Sequence, residues 1–157
     1  MRVLLQRVKR ASLRADQTVL GQIGPGMVLL VGIGPQDSQE DIEELAAKIL
    51  SLRIFSDAEK KMNLSLAQVG GQLMVVSQFT LYGDCTRGCR PDFTRAASGV
   101  YARPLYEKFV ARLRQEVPDL VAGEFGQELL VEIHNDGPVT FYLQSRRERG
   151  SFHQHSP

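Results

Sequence analysis

"ELLVEIHNDGPVTFYLQ", residues 128–144, decides how the chain is read. Two apolar alternating runs, 128–134 and 138–144, flank Asn135-Asp136-Gly137. Alternation at period two predicts strands, and Asn-Asp-Gly predicts a hairpin turn between them. Pro138 fits that turn poorly. It lacks an N–H and fixes φ at the mouth of the second strand. A cis Gly137-Pro138 bond would aim two successive carbonyl oxygens in an unusual direction, with no side chain at Gly137 to block approach. The stretch reads in two ways, as an ordinary turn or as backbone with a task of its own.

Working outward, residues 2–8 form a strand, with Val3, Leu5 and Arg7 on one face and Leu4, Gln6 and Val8 on the other. Residues 18–23 form a short strand, and Gly24-Pro25-Gly26 turns the chain. "MVLLVGI" at 27–33 is apolar on both faces, the pattern of a buried central strand. Ser38 caps a helix over 39–52, with Asp41 three residues on and Ile42, Leu45, Ala46, Ile49 and Leu52 at helical spacing. Residues 53–69 have no clear period and read as a surface excursion. "QLMVVSQFTL" at 72–81 reads as one strong strand, and the Gly- and Arg-rich stretch 82–99 as a long loop. Tyr101, Leu105, Phe109 and Leu113 predict a helix over about 100–116, stopped by Pro118. A short strand at 119–123 precedes the opening stretch, and the polar, Arg-rich residues 145–157 are expected to be mobile. Strands, helix, strand, helix, strands predict a single α/β domain with a mixed sheet and its helices on one face.

Composition narrows the function classes. The 157 residues fit one domain with a sizeable core, and the formal net charge is only +1. Coating long nucleic acid by charge alone requires neutralising many phosphates, which this balance disfavours. Recognition of a single nucleic-acid end stays open. No apolar run reaches the ~20 residues of a membrane span. "MRVLLQRVKR" has no long uncharged stretch and no small-residue cleavage site, so no signal peptide is read there. The expectation is a cytoplasmic protein without a membrane partner. Cys85 and Cys89 in "CTRGC" read as free thiols in a reducing compartment, since no second Cys or His pair stands at zinc-ligand spacing. No metal or other cofactor is expected.

The chain has no phosphate loop of the G-x-x-x-x-G-K-[ST] type and no G-x-S-x-G elbow. His153 and His155 lie in the polar tail. His134, near a strand end, reads as a hydrogen-bonded sheet histidine ahead of a general base. What remains is "SQFT" at 77–80, polar groups at the end of a buried strand. Ser77, Gln78 and Thr80 either satisfy strand-end backbone or line a site, and Phe79 either packs in the core or meets a ligand.

Taken together, "SQFTL" at 77–81 and "NDGPVTF" at 135–141 resemble the paired motifs of the D-aminoacyl-tRNA deacylases, first described as D-tyrosyl-tRNA deacylases. "QRVKRAS" at 6–12, "RIFSDAEKKMN" at 53–63 and "RGCRPDF" at 87–93 resemble the same family, in the same order. The resemblance covers about residues 1–144 and leaves 145–157 outside it.

The resemblance implies a three-layer α/β/β domain with two main helices, assembled as a homodimer with an active site near each side of the interface. It implies hydrolysis of the ester between a D-amino acid, or achiral glycine, and the 3′-terminal adenosine of tRNA, as proofreading for translation. No DNA partner is expected. It implies that Gly137-Pro138 is cis, enters the partner subunit's site and screens handedness, with Arg7 holding that motif. Ser77, Gln78, Phe79 and Thr80 would line the pocket. Thr80 as a covalent nucleophile would need an adjacent base, which the motif does not offer. Thr80 and its neighbouring amides are therefore read as binding and oxyanion groups, and Phe79 as a platform for the terminal adenine. Arg87, Arg90, Arg95 and Arg103 bracket the loop after the motif and either meet tRNA phosphates or stay solvated. Two alternatives are a non-catalytic nucleic-acid-binding domain and an esterase for small D-amino-acid conjugates.

Overall fold

The computed structural model describes residues 1–151. His153 and His155 lie outside the described residues. The elements are β1 (Arg2–Ala15), β2 (Thr18–Ile23), β3 (Gly26–Gly32), α1 (Gln39–Ser51), β4 (Phe55–Ser56), β5 (Met62–Leu64), β6 (Gln72–Ser77), a 3₁₀ turn (Phe79–Tyr82), α2 (Gly99–Arg114), β7 (Val121–Ala122), β8 (Leu130–Gln144) and α3 (Arg146–Ser151). The architecture is mixed α/β, as expected.

β1 is the spine of a six-stranded sheet. One edge pairs antiparallel with β3 along residues 2–8 and with β2 along residues 11–15. The other edge carries β8, antiparallel, from Arg2↔Gln144 to Arg14↔Leu130. β6 runs parallel to β3, and β7 parallel to β6. Each parallel pair needs a crossover, and α1 and α2 supply one apiece.

Burial follows the period-two alternation. Leu29 and Val31 of β3 and Leu73 and Val75 of β6 face the helices, where they pack with Ile42 and Ile49 of α1 and Phe109 and Leu113 of α2. Val28 of β3 and Met74 and Val76 of β6 face the other way, into a second cluster with Val8, Leu13 and Ile23. β3 and β6 are therefore apolar on both faces because both faces are covered. α1 starts as its sequence demands: Ser38 and Asp41 form a reciprocal capping box. Burial pushes the Asp41 carboxyl up, but hydrogen bonds from Ser145 and Ser38 outweigh it and hold the group below its ordinary range.

Five expectations change, four of them local. β1 continues to Ala15, because Ala11, Leu13 and Ala15 keep alternating inward between polar neighbours. Residues 53–69 include a small antiparallel pair, β4 with β5. β6 stops at Ser77, and Phe79–Tyr82 turns tightly instead of continuing the strand. The polar tail begins as a docked segment: Ser145 is buried and α3 follows it.

The largest correction concerns the opening stretch. Residues 130–144 form one strand, with no hairpin turn. Thr140 pairs with Gln6 and Asn135 with Val8, so a single β1 residue, Arg7, stands opposite residues 136–139. Asp136-Gly137-Pro138-Val139 is thus a large bulge thrown out from a continuous ladder. Its local chemistry resembles a turn, but the long pairing with β1 decides the outcome. β8 pairs with β1 alone among the named strands, so its other edge has no strand partner among the described residues.

Candidate active site

The 3₁₀ turn after β6 sits where the sequence placed its polar motif. The Gln78 amide donates to the Val31 carbonyl at 2.7 Å, which ends the β3–β6 ladder. The chain then folds back over Gly32, where an added Cβ would meet the Gln78 carbonyl oxygen at 3.1 Å and Leu81 Cβ at 3.2 Å. Tyr82 plugs inward, while Phe79 stays outside with 56% of its surface exposed. Phe79 is therefore not a core residue. Its ring meets Phe93 edge-on at 5.0 Å.

Ser77, Gln78 and Phe79 line a cleft of about 730 Å³ together with Phe93, Ala97 and Phe125. Thr80 is exposed beside it, and its hydroxyl accepts a hydrogen bond from the Gln78 side-chain amide. The nearest fixed partner of that hydroxyl is thus a donor, not a base. His134 pairs with Arg10 on β1 and is not among the residues lining the cleft. A second cleft of about 780 Å³ lies between the C-terminal ends of α1 and α2 and includes none of the motif residues.

The turn is anchored from beneath. The Arg2 guanidinium donates to the Leu81 carbonyl at 2.9 Å and lies 4.0 Å from the centre of the Tyr82 ring. Arg2 Nε donates to Glu148 at 2.9 Å. The Tyr82 hydroxyl reaches Glu148 at 3.3 Å and Asp37 at 3.5 Å. Asp37 also accepts the Gly34 amide at 2.6 Å and pairs with the Met1 amino group. Burial raises the Tyr82 phenol far above its ordinary value, and the Asp37 and Glu148 carboxylates add to that. Burial likewise lifts the Asp37 carboxyl, against the pull of the amino group.

The bulge is held differently. The Gly137-Pro138 peptide is cis, and both residues are exposed. Beneath them Arg7 is buried. It donates to the Ile54 carbonyl at 2.6 Å and pairs with Asp136 at 3.0 Å. The Asn135 side-chain amide donates to the carbonyls of Arg7 and Val139, both at 3.0 Å. That one amide replaces ladder bonds that the bulge breaks. Gly137 has φ +120, and a Cβ there would meet Val139 Cγ2 at 2.7 Å and Arg7 Nη2 at 3.1 Å.

Within one chain, Ser77, Gln78, Phe79 and Thr80 come together. Arg7, Gly137 and Pro138 also come together, but they do not line the 730 Å³ cleft. Asn135 and Asp136, which the sequence reading passed over as turn residues, are structural members of the second group. Their signal was an amide and a carboxylate directly before Gly-Pro. Cys85 and Cys89 are exposed free thiols in the loop closed by the Asp84–Asp92 bridge. Hydrogen bonds from the Thr86 side chain and amide hold the Asp84 carboxyl below its ordinary range. Among the described residues no group of three or more His, Cys, Asp or Glu is placed to hold a metal ion, and no helix is long and apolar enough to cross a membrane.

These features define an α/β domain with a polar turn and cleft at the carboxyl end of a central parallel strand. The chain belongs to the D-Tyr-tRNA(Tyr) deacylase family, whose model matches residues 4–144. It is 51% identical over 147 residues to the D-aminoacyl-tRNA deacylase of Clostridium acetobutylicum, covering 94% of this chain and 99% of that one. The D-aminoacyl-tRNA deacylase of Clostridium kluyveri is 47% identical over 147 residues, with the same coverage. Among solved structures, the c-Myc DNA unwinding element binding protein superposes with a TM-score of 0.87 at 36% identity, covering 92% of this chain and 99% of that one. A probable eukaryotic D-amino acid tRNA deacylase superposes with a TM-score of 0.75 at 19% identity, covering 90% and 97%, and shares the fold.

Proposed function

We propose that this protein is a D-aminoacyl-tRNA deacylase that hydrolyses the ester between a D-amino acid, or glycine, and the 3′-terminal adenosine of tRNA. The observation that carries the reading is the pairing of two built motifs in a member of this family. A polar turn lines a cleft, and a Gly-Pro backbone is held outward on an edge strand by Arg7 and Asn135.

An aminoacyl ester is already activated, so the protein's tasks are placement, oxyanion stabilisation and rejection of the wrong enantiomer. Water adds to the ester carbonyl carbon, and the carbonyl oxygen takes up the negative charge. The first amides of the 3₁₀ turn, at Phe79 and Thr80, have no acceptor within the turn and serve that oxygen. The bond to the ribose 3′-oxygen then breaks, with the 2′-hydroxyl assisting proton transfer. Thr80 binds and orients, and Phe79 stacks on the adenine. Arg87, Arg90, Arg95 and Arg103 are candidates for phosphate contacts.

The filter belongs to a second copy of the chain. The exposed Gly137-Pro138 backbone of one subunit enters the cleft of its partner, and β8, with its unpaired edge and exposed Phe141 and Tyr142, forms the interface. Carbonyl oxygens then fill the space an L side chain would need. Rejection is steric and independent of which side chain is offered. The role is translational proofreading in the cytoplasm.

The test compares D-Tyr-tRNA, L-Tyr-tRNA, Gly-tRNA and a free D-Tyr ester as substrates of the purified protein, with molar mass by light scattering. Turnover of D-Tyr-tRNA and Gly-tRNA by a dimer, with L-Tyr-tRNA spared, is expected. Efficient hydrolysis of L-Tyr-tRNA sinks the filter, and preference for the free ester points to small conjugates. A second reading, binding to DNA, is raised by the name of the 36%-identical structural relative. A DNA duplex titration of the same preparation addresses it, and tight duplex binding without deacylation favours that reading.

A further inference from the structure

The family match ends at Gln144, yet the chain continues into a segment in which every residue with a described side chain is docked. Ser145 donates its amide to the Met1 carbonyl at 3.0 Å, and its hydroxyl accepts from the Met1 amino group. Arg146 donates its amide to Glu44 at 3.1 Å. Arg147 donates to the Gln36 carbonyl at 3.2 Å and pairs with Glu40 at 2.9 Å. Glu148 takes two donors of Arg2 on one oxygen and lies within reach of the Tyr82 hydroxyl with the other.

Arg2 is the link from this segment to the cleft. Its side chain is more than nine-tenths buried, so its charge depends on the carboxylate that faces it. With Glu148 in place, two of its nitrogens point to that carboxylate and the third is aimed at the Leu81 carbonyl in the 3₁₀ turn. Its plane also covers the Tyr82 ring, the inward plug of the same turn. Removing the carboxylate takes away the acceptor that two of the three guanidinium nitrogens share. The orientation that aims the remaining nitrogen at the Leu81 carbonyl is then less firmly set, and the turn loosens.

We propose that Glu148 is a positioning residue for the deacylation reaction. Acting through Arg2, it fixes the turn that carries Phe79 and Thr80 at the mouth of the cleft. The segment beyond the family-matched region thus becomes a strap for a cleft that it does not line. This inference rests on the functional reading above for its catalytic half. Its geometric half stands alone.

The experiment uses the full chain and three variants: Glu148→Ala, Glu148→Gln and Glu44→Ala. Amide hydrogen exchange is followed across Phe79–Gly83, where the Gly83 amide donates to the Thr80 carbonyl at 2.9 Å. D-Tyr-tRNA turnover is measured alongside. Glu148→Ala should speed exchange in this turn roughly tenfold and lower kcat/KM roughly tenfold, mainly through KM, in line with the sensitivity of catalysis to small displacements. Glu148→Gln keeps an oxygen that Arg2 can reach and should recover most of both. Glu44→Ala loosens Arg146 without touching Arg2 and should leave the turn and its kinetics as they were. Unchanged exchange at Phe79–Gly83 in Glu148→Ala overturns the proposal, whatever the kinetics do. Equal losses in Glu44→Ala overturn it too, since any loosening of the segment would then suffice. If the wild-type protein fails to turn over D-Tyr-tRNA, the substrate reading and the catalytic half fall together. The exchange result then judges the strap alone.

Discussion

The turn at Phe79–Tyr82 grows from β6, a strand buried on both faces, whereas the bulge at 136–139 interrupts β8, a strand paired along one edge. The turn gets its shape from what lies under it: a bare Gly32, the Tyr82 plug and the Arg2 guanidinium. The bulge gets its shape from side chains that reach across it, Arg7 to Asp136 and Asn135 to two carbonyls. Packing together with one buried guanidinium fixes the first, and polar side chains reaching over the backbone fix the second. The turn therefore has two kinds of support and the bulge mainly one, so loss of a single polar contact should cost the bulge more than the turn.

The sharpest way to break this contrast is Arg7→Ala. It leaves Asp136 without its closest cation and removes the bond to Ile54, so stability should fall by about 3 kcal/mol, read by urea unfolding. The cleft residues should keep their environment in spectra of the folded fraction. Next comes Gly137→Ala. A Cβ at that backbone angle has Val139 at 2.7 Å and Arg7 at 3.1 Å, so the bulge must move. Deacylation of D-Tyr-tRNA should drop about a hundredfold, with a much smaller effect on unfolding, because misplacing a site by about 1 Å is costly.

Alkali probes the turn. Burial raises the Tyr82 phenol far above its ordinary value of about 10, so the folded state keeps a proton that the unfolded chain releases. Its stabilising contribution is complete below pH 10 and is lost as pH rises beyond it. Phenolate absorbance from Tyr82, and from Tyr106, which burial also raises, should appear together with unfolding instead of ahead of it. Phe79→Ala separates binding from folding. The ring is exposed, so unfolding should shift by less than about 0.5 kcal/mol, while KM for tRNA rises about tenfold for want of a stacking platform. The smallest effect is expected from Thr80→Val, with kcat within about fivefold of wild type if the hydroxyl only binds and orients. Loss of all turnover with binding intact restores Thr80 as nucleophile.

The sequence disclosed what is local. The Ser38–Asp41 box, the two-sided apolar runs of β3 and β6 and the helical spacing from Tyr101 to Leu113 each carry their own signal. It hid what depends on distant partners. Phe79, Thr80 and Tyr82 have strand-forming side chains, and their turn depends on close packing over Gly32 and on Arg2 beneath. "KRASLRA" at 9–15 looks too polar for a strand, but Ala11, Leu13 and Ala15 need little apolar bulk to fill their face of β1. Asn135-Asp136-Gly137 makes a good hairpin in isolation. It becomes a bulge because β8 follows β1 on both sides of Arg7. The two motifs stood out in the sequence, whereas the side-chain contacts that hold each in place, Arg2 beneath one and Arg7 with Asn135 around the other, did not.

The pairing of Arg2 with Gln144 has a consequence for how the molecule is made. β1 leaves the ribosome before β8, with every other strand of the sheet between them. Contacts so distant along the chain form slowly, because a long loop must close first. β1 can zip to β2 and β3 early in synthesis, and β6 can add alongside, but the outer ladder must wait. A growing chain therefore shapes its cleft floor before it owns the Gly-Pro backbone. Gly137 and Pro138 take up their exposed place only once β8 has closed along β1.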